Sequence, residues 1–188
     1  MHREVRMKRI FFLIWLAAFC LPAINFSAPT LLAEGGKTMN LTSVAFTHEG
    51  MIPSKYTCDG ANVSPPLAWD QIPEDTKSLA LICDDPDAPA GTWVHWVHYD
   101  IAPDVTSLPE QVAPEKHPAP GGTHGINDFR KIGYGGPCPP GGTHRYYFRL
   151  YALDSTLNLT AGISKKQLLK AMEGHILDQT VLMGKYKR

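Results

Sequence analysis

Residues 145–153, with the sequence RYYFRLYAL, indicate the fold class of this 188-residue chain more clearly than any other stretch. Every second residue from Tyr146 to Ala152 is aromatic or aliphatic, and the other set, which starts one residue earlier, includes Arg145 and Arg149. Successive side chains of a β-strand point to opposite faces, so this period of two predicts a strand with one buried face.

Three other segments predict strands. Trp93–Ile101 (WVHWVHYDI) is rich in the aromatic and β-branched residues that strands favour. Residues 78–83 (SLALIC) form a short apolar run between turn residues, as expected for a buried strand. Residues 41–46 (LTSVAF) alternate between polar and apolar side chains.

Helices are predicted only after these strands. Ser164 can cap a helix over Lys165–Met172, and a second short helix is predicted over 174–183. Strands followed by helices favour an antiparallel β fold with helices added at the end. We therefore predict a mainly β protein.

Two long segments, residues 50–66 and 102–142, have no regular pattern. Both are dense in turn residues, and the whole chain holds 16 glycines and 16 prolines. Long loops without secondary structure are uncommon in compact domains unless they serve a function. We expect much of this glycine and proline to build a binding pocket.

The net charge is zero, but the two signs are unevenly distributed along the chain. Residues 1–33 hold four basic residues and one acidic residue, which leaves 14 basic and 17 acidic residues in 34–188. A nucleic-acid-binding protein normally shows a clear basic excess, so no nucleic-acid partner is expected. The length and the 44% hydrophobic content predict one domain over 34–188.

The N-terminal segment has the layout of a secretory signal. Basic residues up to Arg9 precede an uncharged run over 10–21, which Pro22 ends, and the run is too short for a comfortable transmembrane helix. We expect export to the periplasm or the extracellular space, with cleavage within 23–34. An uncleaved N-terminal anchor is the alternative. Membrane contact is expected only through residues 1–33, which should not pack on the core.

Three cysteines lie outside the predicted signal. Cys83 is in an apolar run, which favours a buried thiol, whereas Cys58 and Cys138 lie in glycine- and proline-rich loops. Three cysteines in an oxidising compartment permit at most one internal disulfide. Cys58 and Cys138 are the favoured pair, and three free thiols are the alternative.

Three segments place polar residues beside turn residues. Residues 84–89 (DDPDAP) follow a predicted strand, and their prolines hold the carboxylates at its end. On the next strand, alternation puts His95 and His98 on opposite faces, so they cannot share one metal ion. Residues 133–145 form a glycine- and proline-rich loop that ends in a histidine and an arginine, and its backbone amides can approach an anion closely.

The common catalytic and cofactor motifs are missing from the sequence. It contains no CxxC, HExxH or GxSxG motif, no P-loop and no dinucleotide fingerprint. We therefore expect no metal, no cofactor and no catalytic residue. The residues instead support a small pocket of acids and histidines with proline and glycine walls, which would attract a compact anion. For Asp84, an Asx-turn with a purely structural role is the alternative.

Several short motifs are spread over about residues 40–188. They are KYTCDG at 55–60, SPPL at 64–67, DPDAP at 85–89, VHW at 94–96, NDF at 127–129, GP at 136–137, HRY at 144–146 and GHIL at 174–177. In this order they resemble the phosphatidylethanolamine-binding protein family, and more closely its bacterial Raf-kinase-inhibitor-like branch.

The resemblance implies a Greek-key β-sandwich with a large antiparallel sheet, a small second sheet and C-terminal helices. It also implies a pocket for anions such as phosphate or a phosphoethanolamine head group, in a family known more for binding and inhibition than for catalysis. Asp59, in the CDG loop, is a further candidate for the pocket. By motif, the ligand-binding residues would be Asp85, Asp87, His95, Pro137, His144 and Tyr146.

The chain departs from the family pattern at two informative places. Arg130 stands where a glycine is expected after the NDF motif, which places a long cation near the pocket or at its rim. The connection over 90–94 lacks the tyrosine that better-known eukaryotic members use in their pocket. The ligand of those members is therefore not transferred to this chain.

We expect an exported, non-enzymatic protein that binds a small anion or a phospholipid head group, with inhibition or regulation of a protein as one form of that function. The first alternative is a protein–protein interaction module with a protein partner, motivated by the long loop over 102–142. The second is a hydrolase with His95 or His144 as general base.

Overall fold

A computed structural model describes residues 38–188 of the chain. The predicted signal or anchor at 1–33 lies outside the described residues. The described part is mainly β, with one α-helix and a single turn of 3-10 helix at Ser54–Tyr56. The strands and the helix are β1 (Asn40–Thr42), β2 (Leu67–Asp70), β3 (Ser78–Asp85), β4 (Trp93–Ile101), β5 (Ser107–Leu108), β6 (Thr123–His124), β7 (Thr143–Leu153), α1 (Lys165–Met172) and β8 (Ile176–Lys187).

The strands form two antiparallel sheets of different size. The large sheet has the order β6-β4-β3-β7-β8, and the small sheet has the order β1-β2-β5. Every pair of neighbouring strands in both sheets is antiparallel. The prediction of a mainly β fold with a large and a small antiparallel sheet is therefore confirmed.

The alternation in β7 gives each face of the large sheet its own character. Tyr146, Phe148 and Leu150 are fully buried on the face toward the small sheet, which we call the inner face. Arg149 lies between them in sequence and points to the opposite, outer face, where its side chain is 30% exposed. The pattern that predicted this strand therefore also decides which side chains meet the core.

Apolar side chains cover both faces of the large sheet. The inner core joins Leu67, Trp69 and Leu108 of the small sheet to the large sheet. The outer core places Leu168 and Met172 of α1 against β3 and β4. β3 is consequently buried along its whole length, and its last two residues, Asp84 and Asp85, fall on opposite faces of the sheet.

The second predicted helix, over 174–183, is wrong, because residues 176–183 belong to β8 and the two residues before them form a turn. This strand pairs with β7 along its whole length, from Thr143↔Lys187 to Leu153↔Ile176. The backbone hydrogen bonds of that ladder depend on partners 23 to 44 residues away in the sequence, which local propensity does not reveal. One C-terminal helix therefore remains, α1, which Ser164 caps as predicted.

The predicted strand over 41–46 is also shorter than expected. Regular pairing stops at Thr42, and Ser43 leaves the sheet with its hydroxyl donating to the carbonyl of Pro66 at 2.6 Å. No helix among residues 38–188 is both long and apolar enough to span a membrane.

Candidate functional site

A cavity of about 210 Å³ opens on the inner face, at the end of β3. Three of the segments singled out in the sequence meet there: the DPDAP turn, the start of β4 and the loop that leads into β7. The lining residues are Asp85, Ala88, Pro89, Trp93, His95, Phe129, Cys138, Pro139, Pro140 and His144.

The polar centre of the cavity is a buried carboxylate–imidazole pair. Asp85 Oδ2 lies 2.7 Å from Nδ1 of His144, and the two side chains are only 4% and 9% exposed. The other carboxylate oxygen accepts a hydrogen bond of 2.8 Å from the backbone N–H of Asp87. Both carboxylate oxygens of Asp85 are thus engaged, and the bond to Nδ1 holds the His144 ring in place. The other ring nitrogen, Nε2, makes no hydrogen bond to any described residue.

His95 reaches the same cavity because β4 contains a β-bulge. Cys83 pairs with Trp96 and Asp84 pairs with Val94, so His95 is the extra residue between them. Its ring lies 5.2 Å from the ring of Tyr146, in the inner core. A bulge of this kind aims a side chain where strict alternation would not.

The bulge overturns the expectation that His95 and His98 face opposite sides. His98 stacks on Trp96 and lies 4.4 Å from the ring of His124, so it also belongs to the inner face. His98 is nevertheless absent from the cavity lining, and its Nε2 bonds the carbonyl of Gly121 at 2.9 Å. Among residues 38–188 no group of three or more potential metal ligands is arranged to hold an ion.

The tautomer of His95 follows from its one hydrogen bond. Its Nδ1 lies 2.6 Å from the carbonyl oxygen of Gly135, so Nδ1 carries the proton and donates. Burial lowers the pKa of His95, which favours the neutral ring. Nε2 therefore carries a lone pair and can accept a hydrogen bond.

An aromatic wall, which sequence reasoning missed, completes the cavity. The ring of Phe129 packs edge-on against Trp93 and His95, with 5.4 Å between centroids in each case. The backbone N–H of Val94 donates to Asp128 at 2.7 Å, which fixes the NDF segment to β4. The NDF motif was the available signal, but the sequence does not show where the phenylalanine ring points.

Glycine is required at position 135 for this wall to form. A Cβ at Gly135 would lie 2.6 Å from Cδ2 of Phe129, well inside van der Waals contact. The close approach of backbone to ring explains the glycine in physical terms.

The opposite wall contains a disulfide between Cys58 and Cys138, with their Cα atoms 5.4 Å apart. Cys83 is a buried free thiol in β3. Pro137 is buried behind the lining, where its carbonyl accepts a hydrogen bond of 3.0 Å from the N–H of Cys58. Its neighbours Pro139 and Pro140, rather than Pro137 itself, face the cavity.

Two other sequence candidates lie next to the cavity rather than on its surface. Asp87 makes a bidentate ion pair with Arg145, at 2.6 and 2.8 Å, and hydrogen bonds from Arg145 lower its pKa. Tyr146 lies beneath the cavity, fully buried, and its hydroxyl makes no hydrogen bond of acceptable geometry. Burial, followed by the negative charge of nearby Asp85, raises the pKa of Tyr146.

The two further candidates, Asp59 and Arg130, are both absent from the lining. Asp59 accepts a hydrogen bond of 2.8 Å from the Tyr186 hydroxyl and pairs with Arg188 at 3.1 Å, so it ties its loop to the C-terminal strand. Arg130 is exposed beside Phe129, with a φ of +60°. That left-handed backbone is the conformation in which a glycine would be the unstrained residue.

The lining combines two imidazole rings and a carboxylate with apolar walls. Among the lining residues there is no serine, threonine or lysine, and the cysteine is in a disulfide. What the cavity offers is an oriented imidazole on a buried carboxylate, a neutral imidazole with a free lone pair, and apolar walls of proline and aromatic rings. These groups suit a small ligand with both charged and apolar parts.

Comparisons with known proteins give one consistent family. Residues 42–187 match the sequence profile described as "Phosphatidylethanolamine-binding protein". A "UPF0098 protein" of Methanothermobacter thermautotrophicus is 56% identical over 150 residues, which cover 80% of this chain and 99% of the relative.

Two crystal structures are also similar. One is described as a putative phosphatidylethanolamine-binding protein homologue from Chlamydia trachomatis; it is 44% identical, has a TM-score of 0.75, and the match covers 80% of this chain and 98% of that one. The other is E. coli YbcL, described as a new member of the mammalian PEBP family; it is 29% identical, has a TM-score of 0.76, and the match covers 81% and 99% of the two chains.

Proposed function

The chain belongs to the phosphatidylethanolamine-binding protein family, and we propose that it is an exported, non-catalytic protein whose inner-face cavity binds phosphate or a phosphoethanolamine head group. The observation that carries the proposal is the buried Asp85–His144 pair, 2.7 Å apart, on the wall of a cavity of about 210 Å³. Export rests on the basic and apolar N-terminal sequence.

The pair supports anion binding for a simple electrostatic reason. The Asp85 carboxylate lies 2.7 Å from His144 and would balance the positive charge of an imidazolium at that position. Its Nε2–H would then donate a charge-assisted hydrogen bond to an oxygen of the ligand.

The remaining groups favour a zwitterion over inorganic phosphate alone. His95 offers a lone pair on Nε2, and the rings of Trp93 and Phe129 offer faces that attract a cation. An ammonium group beside a phosphate would use both features, whereas inorganic phosphate has no cationic group for the rings to attract. Phosphoethanolamine is therefore expected to bind more tightly than phosphate.

Isothermal titration with phosphate and with phosphoethanolamine tests the proposal on the full chain. His144→Ala should weaken binding at least about tenfold, because it removes a charge-assisted hydrogen bond. His175→Ala is the matched control, since His175 makes a similar pair with Asp154 at 2.7 Å but both side chains are 46% exposed. Absence of heat at millimolar ligand, or equal losses in both variants, would contradict the proposal.

A role as a protein-interaction module is the second candidate. Phe129, from the loop over 102–142, is 36% exposed at the cavity rim, where a partner could contact it. Pull-down from an envelope extract with the wild type and with Phe129→Ala tests this role. A partner that both forms retain equally would argue against a docking site at the rim.

A further inference from the structure

A second group of charged residues lies at the same end of β3, on the outer face. The two carboxylate oxygens of Asp84 are taken by different cations, Oδ1 by Nη1 of Arg149 and Oδ2 by Nζ of Lys165. The Asp84 side chain is only 5% exposed, whereas those of Arg149 and Lys165 are 30% and 23% exposed. The carboxylate is thus an internal anchor, and the two cations reach solvent.

The charge of this cluster is not balanced. Two cations share one carboxylate, and within residues 38–188 neither Arg149 nor Lys165 has another ion-pair partner. Tyr147 lies under the guanidinium of Arg149, 4.7 Å from ring centroid to Cζ, and fixes its plane without cancelling its charge. One positive charge is therefore left over at a position that the surrounding protein holds fixed.

A cavity of about 250 Å³ opens at this cluster. Besides the three charged residues, Thr92 and Tyr151 contribute polar groups to its lining. The hydrogen bonds to Asp84 use Nη1 of Arg149 and one position of the Lys165 ammonium, so both cations keep N–H groups for a ligand. The excess charge and these donors are together in one cavity.

We propose that this outer-face cavity is a second binding site, for the oxyanion of a phosphate or carboxylate group, held by Arg149 and Lys165. The planar guanidinium offers parallel N–H groups that match two oxygens of such a group, and the ammonium adds a point charge beside it. Asp84 acts as a positioning residue, because it keeps both cations at the cavity when no ligand is present.

This site is separate from the one in the proposed function. Asp84 and Asp85 are adjacent in sequence but lie on opposite faces of the large sheet, so the two cavities share no lining residue. A ligand group bound at one site therefore does not compete with a ligand at the other for any side chain.

The test follows the Nε–Hε resonance of Arg149 by NMR during titration of the full chain with sodium phosphate, sodium acetate and sodium chloride. We expect a saturable change in the chemical shift of this resonance with phosphate, acetate or both. The anion that causes the change identifies the group that the site binds. Lys165→Met should weaken the response about tenfold. Lys170→Met is the matched control, because it removes the same charge from the same helix without touching Asp84, and it should change the affinity less than twofold.

Repeating the titration in His144→Ala separates this site from the inner cavity. The Arg149 resonance should respond as in the wild type even when inner-cavity binding is lost. The inference is overturned if the resonance stays still at millimolar phosphate and acetate, or moves equally with chloride. It is also overturned if Lys165→Met and Lys170→Met weaken the response to the same extent. Equal losses would indicate that the anion responds to the overall positive charge of the helix and not to a site at Lys165.

Discussion

Asp84 and Asp85 are neighbours at the end of β3, and each is only 3% exposed, yet they have different partners on opposite faces of the sheet. Asp85, on the inner face, is paired with a histidine, whereas Asp84, on the outer face, is paired with an arginine and a lysine. Two adjacent carboxylates thus have different kinds of partner on the two faces of one sheet.

The same difference extends along both faces. His95, His98, His124 and His144 are all buried on the inner side of the large sheet or under the loops that cover it. The outer face instead carries Arg149 of β7, with Lys165 of the short helix α1 beside it. Strand alternation and one bulge therefore place these buried histidines on one side of the large sheet and the two cations on the other.

The largest effect on stability is expected from Asp84→Asn. The change leaves Arg149 and Lys165 beside a neutral amide, and breaking a buried ion pair typically costs about 3 kcal/mol or more. Because the two cations are partly exposed, we expect the free energy of unfolding to fall by about 3 kcal/mol and not more. Urea unfolding at neutral pH measures the free energy directly.

Asp87→Asn is the matched control for this prediction. It makes the same chemical change in a bidentate pair with Arg145, whose side chain is 48% exposed. Exposed pairs contribute about 1 kcal/mol or less, so the loss should be small. Equal losses in the two variants would mean that the outer cluster is no more than a surface ion pair.

The second prediction concerns the proton response of the inner face. Burial lowers the pKa of His98 to about 3 and that of His124 to about 4, both from 6.5. Below pH 6.5 the unfolded chain binds protons at these histidines that the folded chain does not. Stability should therefore fall as the pH drops from about 6.5 toward 4, by up to about 2 kcal/mol per histidine at pH 5.

His98→Gln isolates this contribution, because glutamine can still donate to the carbonyl of Gly121 but does not titrate. The difference in unfolding free energy between pH 7 and pH 5 should shrink by up to about 2 kcal/mol in this variant. An undiminished acid effect in His98→Gln would place the proton response elsewhere.

The sequence predicted the strands whose residue pattern is visible within the strand itself. β3, β4 and β7 each show a buried or alternating pattern within a few residues, and the ends of β4 coincide with the predicted ones. Residues 176–183 of β8 were predicted as part of a helix. Their strand conformation depends on the backbone pairing of β8 with β7, at eleven positions. No window of the sequence contains that information.

The site divides in a similar way. The motifs placed the DPDAP turn, β4 and the HRY strand start together, and the structure puts Asp85, His95 and His144 on one cavity. Motifs fix backbone segments rather than side-chain directions, so they did not separate Asp87, held at the rim by Arg145, from Asp85. His95 faces the cavity only because of a bulge, which depends on how β3 and β4 pair.

A smaller effect, confined to the inner face, is expected from Gly135→Ala. The added Cβ would meet Phe129 at 2.6 Å, but this ring is 36% exposed and can move outward. The loss should therefore be near the lower end for overpacking, about 1 kcal/mol. Phosphoethanolamine binding should weaken as the aromatic wall moves, while the Arg149 resonance keeps its response.

Gly141→Ala serves as the control in the same loop, since a Cβ there has open space around it. It should change neither the free energy of unfolding nor binding. If Gly135→Ala behaved like Gly141→Ala in both measurements, the aromatic wall would have no part in the inner cavity.

The smallest effect is expected from Tyr146→Phe. The hydroxyl of this inner-face tyrosine is buried without a hydrogen-bond partner, so its removal should change the free energy of unfolding by less than about 0.5 kcal/mol. Tyr99 provides the contrast on the outer face, where its hydroxyl donates to the carbonyl of Thr160 at 2.7 Å. Tyr99→Phe should cost about 1 kcal/mol or more, because it leaves that carbonyl unpaired. If Tyr146→Phe cost as much, the Tyr146 hydroxyl would be a second side-chain donor to Asp85, beside His144, and the inner carboxylate, like the outer one, would be held by two side chains.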